Sequence, residues 1–165
     1  MSTQLKWPAI PLSEWQDTCE TLHLWTQIVG KIRLSRMPWI NHSWHVPLYV
    51  TSRGLTTSPI PYDTRTFQID FDFIDHQLLI QVSDGSQRSI PLRQESVADF
   101  YARIFDLLDE LRMDLQIDTR PNEVENAISF PEDHVHASYD ADSANRFWQA
   151  LVLTDQVFQR FRAGF

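Results

Sequence analysis

Four prolines in residues 38–61 restrict the fold more strongly than any other feature of the chain. Each proline lacks a backbone N–H and pushes the residue before it toward extended geometry, so no regular helix can run through this segment. The four are Pro38, Pro47, Pro59 and Pro61. The segment therefore predicts a loop, a strand over residues 48–52, a bend at Gly54 and a second loop.

Three helices are predicted from the helical spacing of apolar side chains on either side of the central part of the chain. The first spans residues 13–36 and starts with a capping box at Ser13. The second begins at Ser96, and the third runs from about residue 140 to about residue 162. In the third helix the side chains expected to face inward are Phe147, Trp148, Leu151, Phe158 and Phe161.

Alternating apolar side chains predict three consecutive antiparallel strands over residues 66–73, 77–83 and 88–92. A hairpin turn is expected at residues 84–85, which read Asp-Gly, and a further short strand at residues 115–118. Helices that cover one face of an antiparallel meander give an α+β fold. We therefore expect about three helices packed on an antiparallel sheet.

The length and the cysteine content set further bounds on the protein. A chain of 165 residues predicts one domain, residues 1–165, and the one cysteine, Cys19, excludes an internal disulfide. The first 15 residues lack the basic start and apolar core of a signal peptide. No run approaches the roughly 18 apolar residues that a membrane span needs, so we expect a cytoplasmic protein.

The charge balance argues against two classes of partner. The formal net charge is −8, the isoelectric point is near 5.1, and the 14 basic residues form no run. Nucleic acids and anionic membranes both attract proteins chiefly through clustered Lys and Arg. The expected partners are therefore a small molecule or another protein, and a homo-oligomer stays open.

Aromatic and hydrogen-bonding side chains are concentrated in residues 38–61, which is typical of small-molecule pockets. The polar face of the first helix, around the small Gly30, either faces solvent or lines a crevice against this segment. Alternatively, the tryptophans anchor the loop on the sheet and Arg53 pairs with an aspartate such as Asp70. The predicted ligand-binding residues are His23, Gln27, Trp39, His42, Trp44, His45, Tyr49, Arg53 and Thr57.

Two pairs of histidines have the spacing of metal ligands, on a turn for the first pair and on one side of a strand for the second. The candidate zinc or iron ligands are His42, His45, His134 and His136, with Asp133, Glu132 or His23 as further candidates. Neither pair belongs to a motif with its own mechanism, such as H-E-x-x-H, so the alternative is separate histidines bonded to backbone or solvent. Asp70 and Asp72 share a strand face and are candidates for a catalytic base or for plain solvation.

Four sequence strings between residues 22 and 140 are long enough to be specific. They read LHLWTQIVGKIRL (22–34), NHSWHVPLYVTSRGLTTSPIP (41–61), FQIDFDFIDH (67–76) and VHASYD (135–140). On these strings the chain resembles a family of bacterial proteins classed as a domain of unknown function. The resemblance implies no activity, substrate or cofactor. It implies that members are often about twice as long, so that this chain is a short member or one half of a longer architecture.

Three hypotheses follow from the sequence. The first is a binding module for a small molecule or a protein, with its site between the first helix and residues 38–61. The second is a metal-dependent hydrolase that uses the four histidines, with Asp70 or Asp72 as base. The third is a docking surface for another subunit or for a further half of the architecture, formed by the aromatic loop.

Overall fold

A computed structural model of the chain describes residues 6–164, and its elements form an α+β fold. Three helices, a six-stranded antiparallel sheet and one short 3-10 helix (Phe130–Glu132) are present in this range. The helices are α1 (Leu12–Arg36), α2 (Val97–Glu110) and α3 (Ala141–Arg162). The strands are β1 (Tyr49–Val50), β2 (Gly54–Thr56), β3 (Ile60–Tyr62), β4 (Arg65–Asp72), β5 (Gln77–Val82) and β6 (Gln87–Pro91).

The strand order is β1-β2-β4-β5-β6, and every pair is antiparallel. The strand β3 also pairs with β4, along the part of β4 that β2 leaves open. The meander predicted for β4, β5 and β6 is therefore confirmed. The sheet is wider than predicted, because the chain of residues 49–62 extends it by three short strands.

The core lies between one face of the sheet and the helices α1 and α2. Side chains from β4 and β5 alternate inward as their period predicts, and the inward set is Phe67, Ile69, Phe71, Leu78, Ile80 and Val82. Trp25 of α1 stacks on Phe100 of α2 with ring centroids 4.3 Å apart, and its other neighbour is Tyr139 at 5.6 Å. This aromatic stack fixes α1 against α2 and against the segment that leads into α3.

Thr57 lies between β2 and β3 in the chain and continues their pairing with β4. Its N–H donates to Ile69 O at 3.0 Å, and its buried hydroxyl accepts the N–H of Ile69 at the same distance. The backbone then turns at Ser58, whose φ is 58°. Thr57 is therefore fully buried and satisfies backbone groups, which is a different role from the ligand contact predicted for it.

Three sequence predictions need correction: the cap of α1, the strand at residues 115–118 and the inward position of two side chains of α3. Helix α1 starts after Pro11 with no side-chain cap, so the capping box at Ser13 does not form. Residues 115–118 alternate between buried and exposed but belong to none of the described strands, because they run along α1 and not along a strand edge. In α3 the side chains of Phe158 and Phe161 are exposed, since the described body of the protein ends before the last turns of this helix. Helices α2 and α3 begin where predicted, and the side chains of Ser96 and Asp140 cap them by accepting the N–H groups of Asp99 and Ser143.

Candidate functional site

The second half of α1 is buried on almost all sides, and this anchors the proline-rich segment. Arg33 is 4% exposed and donates to Pro47 O at 2.6 Å. Its guanidinium also lies 5.0 Å from the ring centre of Tyr49 and bonds to the hydroxyl of that residue at 3.4 Å. Residues 38–48 are thereby fixed beside α1, after a turn in which His42 and Ser43 take positive φ.

A crevice of about 1070 Å³ opens between α1, residues 42–48, residues 116–123, the strands β1 and β2, and α3. The helix α1 forms its floor, because the lining residues of α1 recur at helical spacing from Trp15 to Ser35. Gly30 lies in this floor, and a Cβ at that position would lie 3.4 Å from Val46 Cγ1. Residues 42–48 therefore pack close to α1 at Gly30, at a distance that a Cβ would just meet.

One wall of the crevice is apolar. At one end Trp15 and Phe147 pack with ring centroids 5.3 Å apart, which joins α1 to α3. The apolar lining as a whole consists of Trp15, Leu22, Leu34, Val46, Leu48, Val50, Leu55, Ile117, Phe147 and Leu151. A crevice of this size with a mainly apolar wall is the usual setting of a small-molecule site.

The opposite wall is polar, and Gln27 holds it in place. Its side-chain amide donates to Asn122 O at 3.0 Å and accepts the N–H of Asn122 at 2.8 Å. The same amide nitrogen lies 3.1 Å from His23 Nε2. Gln27 therefore positions residues 116–123 beside α1. Its two hydrogen bonds to the backbone of Asn122 resemble those that a neighbouring strand would form.

Lys31 is the buried charge of the crevice. Its ammonium donates to Arg120 O at 2.7 Å and to Asp118 Oδ2 at 3.2 Å, and it lies 6.0 Å from the ring centre of Phe130. The lysine side chain is 10% exposed, whereas the side chain of Asp118 is 74% exposed. The N–H of Arg120, and then the ammonium of Lys31, hold the pKa of Asp118 below its ordinary value.

Three of the nine predicted ligand-binding residues line the crevice: His23, Gln27 and His42. The other six lie elsewhere. Trp39 and Trp44 are 70% and 63% exposed and project outside the crevice. They do not anchor the loop on the sheet, so the alternative interpretation of the two tryptophans is not supported either.

His45 and Tyr49 hold the segment together internally. His45 is buried, and its Nδ1 accepts the N–H of Ile40 at 3.2 Å while its ring meets Trp39 edge-on. Tyr49 contacts Arg33 and not the crevice. Both residues therefore contribute to the shape of the turn rather than to the lining.

Arg53 pairs with aspartates, as the alternative interpretation expected, but the partners are Asp72 and Asp75 and not Asp70. Its Nε and Nη2 donate at 2.6 Å to Asp72 Oδ2 and to Asp75 Oδ2. The other oxygen of Asp72 accepts the N–H groups of Ile74 and Asp75. Asp72 is thus buried and fully bonded, and neither simple solvation nor a free catalytic base describes it.

The four predicted metal-ligating histidines do not form one cluster. His134 lies 3.4 Å from Ser96 Oγ at the start of α2, and His136 Nδ1 bonds to Asp133 Oδ2 at 2.7 Å. His42 lines the crevice and His45 is buried in its own turn. Across residues 6–164 no three His, Cys, Asp or Glu side chains are grouped in a way that could hold a metal ion. The metal-dependent hydrolase therefore stays a prediction that no side-chain grouping described here favours.

The residues that sequence reasoning missed are Lys31, Asp118 and Asn122. Lys31 follows Gly30 in α1, and the sequence predicts residues 115–118 as a strand. The signal that was present is the lysine itself, because a charged side chain next to Val29, Gly30 and Ile32 in the most apolar part of α1 needs a partner. That partner, Asp118, lies 87 residues away in sequence, so only the folded structure identifies it.

Comparisons with known proteins give a family and nothing closer. The model of a protein family described as "Family of unknown function (DUF5996)" matches residues 7–165. Searches of curated proteins and of solved structures found no match to the chain. In residues 6–164 no helix is long and apolar enough to cross a membrane.

Proposed function

Because the chain belongs to DUF5996, a family whose description assigns no activity, we propose a function from the geometry of the site: the protein is a small-molecule-binding module. The observation that supports this most directly is the crevice of about 1070 Å³ between α1 and residues 42–48. The crevice lies between the first helix and the proline-rich segment, which is where the sequence leads us to expect a site. The residues that define it are partly different ones.

The chemistry of the lining favours a small molecule over a solvent-filled gap. An apolar wall left open to water costs free energy of about 25 cal/mol per Å² of apolar surface, and a ligand that covers it recovers part of this. The polar groups opposite are fixed by hydrogen bonds that do not depend on a ligand, as Gln27 shows with Asn122. A preformed, partly apolar crevice with few directed polar groups binds without a large ordering cost.

A substitution on the crevice floor tests this function. Thr26 lines the crevice, is partly exposed, and donates only to the carbonyl of His23 within its own helix. Thr26→Trp is expected to fill the crevice without entering the core. Asp17→Trp is the matched control, since Asp17 is an exposed position of α1 that is absent from the crevice lining.

The measurement is the fluorescence titration of the uncharged dye Nile red, whose emission rises and shifts to the blue in an apolar site. We expect saturable binding of one dye per chain in the wild type and in Asp17→Trp, and its loss in Thr26→Trp. Circular dichroism and thermal unfolding establish that both variants are folded. Equal binding by both variants, or no saturable binding by the wild type, would contradict the proposal.

A further inference from the structure

The lining of the proposed small-molecule site contains one buried charge, that of Lys31, besides the carboxylates of Asp118 and Glu123. A lysine ammonium has three N–H donors. Among the described residues the ammonium of Lys31 has two acceptors, Arg120 O and Asp118 Oδ2. The third donor has no oxygen acceptor in residues 6–164, although the ring of Phe130 lies 6.0 Å from the ammonium, and Lys31 is in the lining of the crevice.

Three other polar side chains on the crevice floor already form hydrogen bonds within the protein. The hydroxyl of Thr26 donates to His23 O, the hydroxyl of Ser35 donates to Ile32 O, and the amide of Gln27 bonds to Asn122. These bonds lie within α1 or between α1 and the polar wall. A ligand that enters the crevice therefore meets one strong, buried hydrogen-bond donor, which is Lys31.

The unequal exposure of Lys31 and Asp118 favours a ligand with a negative charge. The lysine is in the wall with a side chain 10% exposed, whereas the aspartate is 74% exposed and in contact with water. An anion that approaches Lys31 interacts through a medium of low effective dielectric, while its repulsion by Asp118 is screened by water. A cation would meet the reverse situation, with strong repulsion by the buried Lys31 and weaker attraction, through water, to Asp118 and to Glu123 in the same lining.

The exposed position of Asp118 also makes it replaceable. Exposed members of ion pairs contribute little to stability, so a ligand carboxylate can take the place of Asp118 beside the ammonium at small cost. The other oxygen of Asp118 accepts the N–H of Arg120, and this bond holds the local turn whether or not Lys31 is contacted. The remainder of the ligand then lies against the apolar wall toward Trp15 and Phe147.

We propose that the ligand of this crevice is an amphipathic carboxylic acid, with its carboxylate on the ammonium of Lys31 and its apolar chain along the wall formed by β1, β2 and α3. This inference rests on the proposed function, because it specifies what the same crevice binds. No covalent step is involved.

The test is isothermal titration calorimetry with three probes of equal chain length: decanoate, 1-decanol and decylammonium, each below its aggregation concentration. We expect the wild type to bind decanoate about tenfold more tightly than the alcohol, and the ammonium compound most weakly. In Lys31→Met the affinity for decanoate is expected to fall to that for decanol. In Asp118→Asn the affinity for decanoate is expected to rise several-fold, because the competing carboxylate is removed.

The outcomes separate the two claims. Equal affinity for decanoate and decanol, with both lost in Thr26→Trp, would overturn the assignment of an acid and leave the binding function in place. No binding of any probe to the wild type would overturn both. If Lys31→Met does not fold, Asp118→Asn decides, since weaker binding of decanoate to this variant would contradict a carboxylate on Lys31.

Discussion

At the scale of single residues, several polar side chains that are predicted to contact a ligand or to take part in catalysis bond to the protein itself. Asp72 illustrates this best, because it accepts from Arg53 and from the backbone N–H groups of Ile74 and Asp75. Burial by itself would raise the pKa of Asp72, but the bonds from Arg53, Asp75 and Ile74 outweigh it, and the pKa lies below its ordinary value of 3.8. The charged form of Asp72 therefore stabilises the fold.

The stability of the protein should depend on this carboxylate in a defined pH window. A group whose pKa is lowered by folding contributes stability that is complete above its ordinary pKa and is lost as the pH falls through the lower, folded-state value. We expect Asp72→Asn to lower the free energy of unfolding by about 1.5–3 kcal/mol at pH 7, as for a hydrogen bond to a charged group. The difference from the wild type should shrink as the pH falls below 3.8.

Urea denaturation from pH 7 to pH 2.5 measures this dependence. Asp75→Asn is the matched control, since Asp75 bonds to the same Arg53 from an exposed position, where an ion pair contributes about 0–1 kcal/mol. An equal loss in both variants at pH 7, or a loss in Asp72→Asn that does not change with pH, would show that Asp72 does not have this role.

The sequence predicted which residues could bond but not their partners. One interpretation of the sequence pairs Arg53 with an aspartate such as Asp70. In the structure Arg53 forms ion pairs with Asp72 and Asp75 instead. The choice depends on the register of β2 against β4, which pairs Gly54 with Asp72. A shift of this register would have exchanged the faces, and periodicity alone cannot fix it.

At the scale of elements, two glycines illustrate two different kinds of close packing. A Cβ at Gly54 would lie 1.8 Å from the carbonyl oxygen of Phe71, because β2 approaches β4 closely at this point. A Cβ at Gly30 would meet Val46 Cγ1 at 3.4 Å, which is a tight contact with the far end of a side chain. The first position cannot accept a side chain unless the strands separate, whereas the second can.

We expect Gly54→Ala to destabilise the protein by about 1–3 kcal/mol or more, as overpacked substitutions do. Gly30→Ala is the matched substitution in α1, and it is expected to be neutral or stabilising by up to about 1 kcal/mol because alanine favours the helix. Thermal and urea unfolding of both variants measure the two effects. Destabilisation of Gly30→Ala as large as that of Gly54→Ala would mean that residues 42–48 are packed on α1 more rigidly than the geometry indicates.

Element types were predicted well where the period was long and regular, and poorly where it was not. The alternation of apolar side chains predicts β4 and β5, and an apolar stripe at helical spacing predicts α2. These patterns are clear because each element has one buried face. Residues 115–118 also alternate because one side of this segment is buried, but they pair with none of the described strands. In this segment the alternation indicates burial of one side and does not indicate strand pairing. The apolar stripe of α3 continues past the point where the helix leaves the body, which periodicity cannot reveal.

At the scale of the whole molecule, the crevice arises from how α1 is surrounded. The buried second half of the helix anchors residues 42–48 through Arg33 and residues 116–123 through Gln27 and Lys31. The helix α3 closes one end by packing Phe147 on Trp15. The sequence predicts a site between the first helix and the proline-rich segment, where the crevice lies, but it could not predict residues 116–123 as a wall, because their contacts to α1 span 87 to 95 residues of sequence.

Exposed apolar side chains on the surface could bind the same hydrophobic probes. Trp39 and Trp44 lie outside the crevice, and the end of α3 carries the exposed Val157 and Phe158. A hydrophobic compound that binds only at such surfaces would imitate crevice binding in a bulk assay. A measurement with residue resolution is therefore needed to separate the two.

The most direct measurement is a titration of the isotopically labelled protein with decanoate, followed residue by residue in two-dimensional NMR spectra of the backbone amides. The largest shift changes are expected at Thr26, Gly30 and Lys31 on the floor and at Val46 and Ile117 on the walls, with saturation at one decanoate per chain. Largest changes at Trp39 and Trp44 or at the end of α3, or small changes spread over the whole chain, would contradict a ligand site in the crevice.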